Sequence, residues 1–228
     1  MNKQLVGVAA AAALGLMTTA ANADVILTFG QTSGANTVTA TANALAGTTT
    51  VTANTAVTIT QIAGGVPVIN PATFTLSATS IAPAIQIGSN VNQRYGGSFS
   101  VTAGATNYLS GTFSDSIFGA GGSLTLSVSD AVPGESVSFT SNVIPANLLG
   151  DPQAISFSFA NVLPSASVVG TGCATFPSTS PRTIASFTSS VSGTASATTA
   201  VPEPASLALL GSALAGLGLM YRRRRFSA

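Results

Sequence analysis

Apolar and hydroxyl-bearing residues alternate with a period of two along most of this chain. Leu124, Leu126 and Val128 are interleaved with Ser123, Thr125, Ser127 and Ser129; Val137 and Phe139 with Ser136, Ser138 and Thr140; Ile155, Phe157 and Phe159 with Ser156 and Ser158. Phe74 and Leu76 alternate with Thr73, Thr75 and Ser77, and Val57 and Ile59 with Thr58 and Thr60. Side chains of a strand point alternately to its two faces, so each run predicts a half-buried strand with a hydroxyl face toward water. The abundance of β-branched Thr suits that pleated surface. Further strands are predicted at 25–29, 37–44, 48–53, 98–102, 108–113 and 184–191. Turn signals stand between the runs: Gly64-Gly65, Gly96-Gly97, Gly121-Gly122, Pro133-Gly134 and Asp151-Pro152. No helical stripe interrupts the pattern outside the termini. Many short strands at near-regular spacing predict an all-β, antiparallel domain, a sandwich or a barrel. The irregular loop lengths favour the β-sandwich, with its core anchored by the phenylalanines from Phe29 to Phe187.

The pattern fails at both ends. At the N-terminus Lys3 precedes an Ala-rich apolar stretch over residues 5–17, and Ala21-Asn22-Ala23 is a small-x-small cleavage site before Asp24. That arrangement predicts a signal peptide over residues 1–23, removed by signal peptidase. No Cys follows the site, which excludes a lipoprotein. At the C-terminus Val201, Pro202, Glu203 and Pro204 precede an uncharged run over 205–221, which is followed by Arg222, Arg223, Arg224 and Arg225. A helix of that length rises about 25 Å, at the short end of a membrane span. Its glycines are tolerated in membrane helices, and Tyr221 sits where an interfacial aromatic belongs. Four arginines do not cross the bilayer cheaply, so they act as a cytoplasmic stop-transfer signal and place everything before Val201 outside. Pro202 and Pro204 cannot continue a helix, so the motif lies just beyond the span.

These boundaries leave an ectodomain over 24–191, large enough to bury a real core. From Ser192 to Ala200 the apolar beat fades into Ser, Thr and Ala, which predicts a flexible spacer over 192–200. Charge is sparse: Asp24, Asp115, Asp130, Glu135 and Asp151 stand against Arg94 and Arg182. A mildly acidic domain with two arginines has no electrostatic footprint for nucleic acid. Solubility rests on hydroxyls and amides, which hydrogen-bond well and repel weakly; that suits a protein meant to associate.

The C-terminal order of Val-Pro-Glu-Pro, apolar span and Arg cluster resembles the PEP-CTERM sorting signal of Gram-negative bacteria, with all three parts present over 201–225. A Gram-positive sortase signal is excluded because no Leu-Pro-x-Thr-Gly is present, and a GPI signal lacks the closing Arg block. The resemblance implies recognition by an exosortase, a membrane-embedded cysteine transpeptidase-like enzyme. It also implies an inner-membrane precursor, removal of the tail, and delivery to the cell surface or an exopolysaccharide matrix. The ectodomain is similar to other PEP-CTERM ectodomains in Leu27-Thr28-Phe29, in residues 107–113 (NYLSGTF), in residues 136–141 (SVSFTS) and in residues 185–193 (ASFTSSVSG). Those shared features are strand patterns and imply no activity.

Catalytic chemistry has few residues to work with. The chain has no His, which removes Ser-His-Asp and Cys-His arrangements and most metal-hydrolase sites. Its only Lys lies in the signal peptide. Two carboxylates among Asp115, Asp130, Glu135 and Asp151 would suffice for a glycosidase, but their positions beside strands and turns predict solvated loop residues. The same acids lack an Asp-x-Asp-x-Asp spacing for Ca²⁺, and residues 119–123 lack the Lys of a phosphate loop. No metal or cofactor is expected. Cys173 is the single Cys, so no internal disulfide forms. Arg94-Tyr95 reads equally as a sugar contact or as an exposed strand end. The expectation is a non-catalytic surface or matrix protein of the biofilm type. The alternative is a secreted carbohydrate-binding module or a carboxylate-dependent glycoside hydrolase.

Overall fold

The alternating runs become strands whose apolar side faces a shared interior. The computed structural model describes residues 23–170 and 182–199, all within one unit, Asn22–Ala200. In chain order the strands are β1 (Ala23–Gln31), β2 (Val38–Asn43), β3 (Thr48–Ile62), β4 (Ala72–Ser80), β5 (Ile85–Ile87) and β6 (Asn90–Ala103). They continue as β7 (Thr106–Ala120), β8 (Ser123–Ser129), β9 (Ser136–Thr140), β10 (Gly150–Leu163), β11 (Val168–Val169), β12 (Thr183–Ile184) and β13 (Phe187–Thr198). Two single 3₁₀ turns, Ala63–Gly65 and Ala146–Leu148, are the helical elements among the described residues. The protein is all-β, and every ladder is antiparallel.

Eleven strands share one sheet in the order β5-β6-β4-β3-β1-β13-β10-β8-β7-β9, with β2 between β13 and β3. The further pairing of β6 with β7 closes this path into a ring. β1 and β2 fill one slot: β1 pairs with β13 over residues 192–198, and β2 takes over at 187–189. The ring is collapsed, because opposite walls meet across one aromatic layer. The Phe157 ring on β10 lies 5.5 Å from Phe74 on β4, 5.3 Å from Phe99 on β6 and 6.1 Å from Phe113 on β7. Tilted and edge-on pairs at such distances add to the burial term. Phe157, Phe159, Leu124 and Leu126 are fully buried, each stabilising by roughly 2–3 kcal/mol relative to exposure. The hydrogen-bonded ladder therefore runs on around both edges, where two open sheets would leave them unpaired. A closed path removes sheet edges that would otherwise recruit other strands.

Four expectations are corrected here. The expected sandwich of two open sheets is instead one antiparallel sheet closed into a flattened ring, because β6 pairs with β7 as well as with β4. Residues 192–198 are not a spacer but the end of β13, paired on both sides with β1 and β10. Their inward positions are Gly193, Ala195 and Ala197, all buried; small side chains made the apolar beat look absent. Gly96-Gly97 is not a turn but the middle of β6, where a Cβ on Gly97 would stand 2.4 Å from the Ser77 carbonyl oxygen. Two adjacent backbones approach too closely there for any side chain. Finally, the runs at 48–53 and 57–60 are one long strand, β3, that pairs with β2 at one end and β1 at the other.

Candidate functional site

The four sequence-predicted carboxylates occupy different settings. Asp130 and Glu135 flank the β8–β9 turn; Asp130 ties it to β10 and Glu135 closes it on the end of β8. Asp130 Oδ1 accepts the Gln153 N–H at 2.8 Å, and Glu135 Oε2 accepts the Ser129 N–H at 2.8 Å. Asp151 is exposed at the start of β10. Asp115, expected in a solvated loop, is instead buried within β7 as the cross-strand partner of Tyr95. Among the described residues no cluster of three metal-ligating side chains forms. Arg94-Tyr95 splits as strand neighbours must: Arg94 is exposed and donates to the Gly134 carbonyl at 2.6 Å, while Tyr95 faces the core with no exposure. Tyr95 therefore offers no exposed aromatic platform beside Arg94. Ala23 opens β1 at an exposed position opposite Thr198. Ala21, Cys173, the motif Val201–Pro204, the span 205–221 and Arg222–Arg225 lie outside the described residues. Among the described residues no helix is long and apolar enough to cross a membrane.

Composition gave no hint of a buried polar network around Gln93. Gln93, Thr49, Thr183 and Tyr95 have no exposed surface. Gln93 Nε2 donates to the Ala82 carbonyl and the Thr183 hydroxyl, both at 3.0 Å. Its Oε1 accepts the Ile184 N–H at 2.9 Å and the Tyr95 hydroxyl at 3.1 Å. Thr49 bonds the Thr183 hydroxyl and donates to the Ile184 carbonyl at 2.6 Å. One amide thus satisfies groups from β6, β12 and the 81–84 loop, and fixes the short β11–β12 hairpin against β3 and β6. Burial raises the Tyr95 hydroxyl far above the ordinary tyrosine range, and its hydrogen bond with Thr49 opposes that only in part. Desolvation disfavours the phenolate. The network is structural: its donors and acceptors are turned toward one another.

What faces solvent is more distinctive. The registers of five consecutive strands, β3, β4, β6, β7 and β9, align their outward residues in rows. Thr52 is opposite Ser77, Ser77 opposite Ser98, Ser98 opposite Thr112, and Thr112 opposite Ser138. All five are exposed. β2 and β13 extend this row through Thr39 and Thr188. On one side runs the row Asn54, Thr75, Ser100, Ser110 and Thr140, and on the other Thr50, Thr79, Gly96, Ser114 and Ser136. Neighbouring hydroxyls bond across strands: Thr75 to Ser100 at 2.7 Å, Thr112 to Ser138 at 2.9 Å, and Ser110 to Thr140 at 3.0 Å. These bonds hold the side chains in fixed rotamers. No charge and no aromatic interrupts the three rows. A second, smaller hydroxyl patch lies on β1, β13 and β10, where Thr28, Ser156, Ser158, Ser192 and Thr194 line an open trough. The alternation of the sequence predicted the outward hydroxyls of Thr75, Ser77, Ser136, Ser138 and Thr140. Their alignment into rows depends on strand registers, which no local pattern specifies.

Comparison with known proteins adds one finding. Residues 200–225 match the PEP-CTERM protein-sorting motif. Neither a curated protein nor a solved structure matches the chain.

Proposed function

We propose that this protein is a non-catalytic, exported component of the cell surface or exopolysaccharide matrix, built on an all-β, antiparallel ectodomain whose main sheet closes on itself. The carrying observation is the sorting motif over residues 200–225, which makes the chain an exported protein sorted through an exosortase. In this reading signal peptidase removes residues 1–23. Residues 205–221 then hold the precursor in the inner membrane, with the ectodomain outside and Arg222–Arg225 in the cytoplasm. Exosortase acts near Val201–Pro204 and releases or transfers the ectodomain. The chemistry of the domain supports a passive role. Asp130 and Glu135 each bond a backbone N–H, of Gln153 on β10 and of Ser129 at the end of β8, and the outer face carries rows of hydroxyls whose neutral, hydrogen-bonding surface suits retention in a hydrated matrix.

The intact mass of the protein recovered from each cell fraction tests this. A surface or matrix species lacking residues 1–23 and everything beyond the Pro-Glu-Pro region is expected. A membrane species still carrying Arg222–Arg225 would mean a plain anchor and would overturn the reading. A second reading, a carbohydrate-binding module, draws on the hydroxyl rows. A carboxylate-dependent hydrolase would need turnover that an Asp115→Asn/Glu135→Gln double variant abolishes.

A further inference from the structure

We propose that the outer face of β3, β4, β6, β7 and β9 is a binding surface for an extended, uncharged polysaccharide. The glycan chain runs across the strands along the row Thr52, Ser77, Ser98, Thr112 and Ser138. This rests on the matrix reading above and names the ligand class that such a protein would hold.

The chemistry of the face selects the ligand. Globular proteins are about a quarter charged residues, and those concentrate at the surface, yet three rows across five strands carry none. Within those rows an anion, a cation or a charged polymer finds no counter-charge; Arg94, one outward position beyond Gly96 on β6, is bonded to the Gly134 carbonyl. Protein interfaces are built around buried aromatic, Met or Arg anchors, and the rows contain none of these either. A partner that matches an array of alcohols is itself an array of alcohols.

Geometry supports the direction. Strands repeat about every 4.8 Å across a sheet, close to the advance of one sugar residue along an extended glycan, so successive sugars meet successive strands. A single hydroxyl contact gains little against water, so affinity must come from many contacts at low ordering cost. The cross-strand bonds Thr75–Ser100, Thr112–Ser138 and Ser110–Thr140 supply that preorganisation. The stiff χ1 of the β-branched threonines adds to it.

The test uses the full chain in detergent, with co-sedimentation on insoluble cellulose and on cross-linked dextran, and with alginate gel as the charged control. The wild type is expected to sediment with at least one neutral glycan, equally at low and high salt, and not with alginate. Ser77→Glu/Ser98→Glu puts two charges into the central row. Thr52→Val/Thr112→Val removes two hydroxyls at constant shape and guards against a folding defect in the first variant. Each is expected to weaken retention by about tenfold or more, while Thr194→Glu in the β1–β13–β10 trough leaves it unchanged. Absence of binding to both neutral glycans, salt-sensitive binding to alginate alone, full retention by the valine variant, or equal loss in Thr194→Glu overturns the proposal. Fractionation separates its failure from that of the matrix reading. A wild type that reaches the surface without binding either glycan sinks only the lattice. A chain that never leaves the membrane sinks the matrix reading, while sedimentation still decides the lattice.

Discussion

Gly193 makes room for Phe29. The two residues are cross-strand partners on β13 and β1, and a Cβ built on Gly193 would stand 2.5 Å from the Phe29 ring. Phe157, the partner of Gly193 on its other side, lies 3.1 Å from the same point. Gly111 repeats the arrangement between Phe99 and Phe139. Two rings lean over a glycine each time, which covers the exposed strand backbone and lets opposite walls of the ring close on one aromatic layer.

Gly193→Ala is therefore expected to destabilise the fold by about 1–3 kcal/mol through overpacking. Combining it with Phe29→Leu should recover part of that loss, a coupling that a double-mutant cycle in urea measures. Additive effects would show that the ring and the glycine are independent. Gly111→Ala should be worse, because its Cβ would meet the Ser138 backbone oxygen at 2.1 Å, where no side chain can rotate away.

Gln93→Leu should destabilise by roughly 2–4 kcal/mol, since it strands the Ile184 N–H and the Ala82 carbonyl without partners. Thermal unfolding reports the loss. Proteolytic nicking in or beside the β11–β12 hairpin should rise with it, because the amide is what ties that hairpin down.

Alkaline pH should unfold the protein through Tyr95. Burial raises its folded-state value above the unfolded one, so the native state holds a proton that the unfolded chain releases. Stability from this group is complete below about pH 10, the ordinary tyrosine value, and falls above it by up to about 1.4 kcal/mol per pH unit. Tyr95→Phe should remove that part of the slope and cost about 1 kcal/mol at neutral pH for the lost bond to Gln93. An unchanged alkaline slope would contradict the assignment.

Deleting residues 192–198 should abolish folding, because it takes out the end of a strand paired on both sides with β1 and β10. A spacer would tolerate the same deletion. Circular dichroism and soluble yield distinguish the two.

Asp130→Ala and Glu135→Ala should each cost about 1–2 kcal/mol, since Asp130 accepts the Gln153 N–H on β10 and Glu135 accepts the Ser129 N–H across the β8–β9 turn. Neither change should alter retention by a neutral glycan. Chemical denaturation and the sedimentation assay check the pair.

The sequence by itself determined the class of structure and the address. A period of two with hydroxyls on the polar beat leaves little choice but strands with one wet face, and the motif at 200–225 is written in adjacent residues. Local patterns of this kind survive any tertiary arrangement. Tertiary structure decided whatever depends on who stands opposite whom. Gly97 and Gly193 read locally as a turn and a spacer, yet both are inward positions where neighbouring backbones or rings occupy the space of a side chain. Tyr95 and Asp115 left the candidate surface because register turned them to the core. The hydroxyl rows exist because five registers agree. Register is set by long-range pairing and close packing, and a residue slip in any one strand would turn its hydroxyls inward.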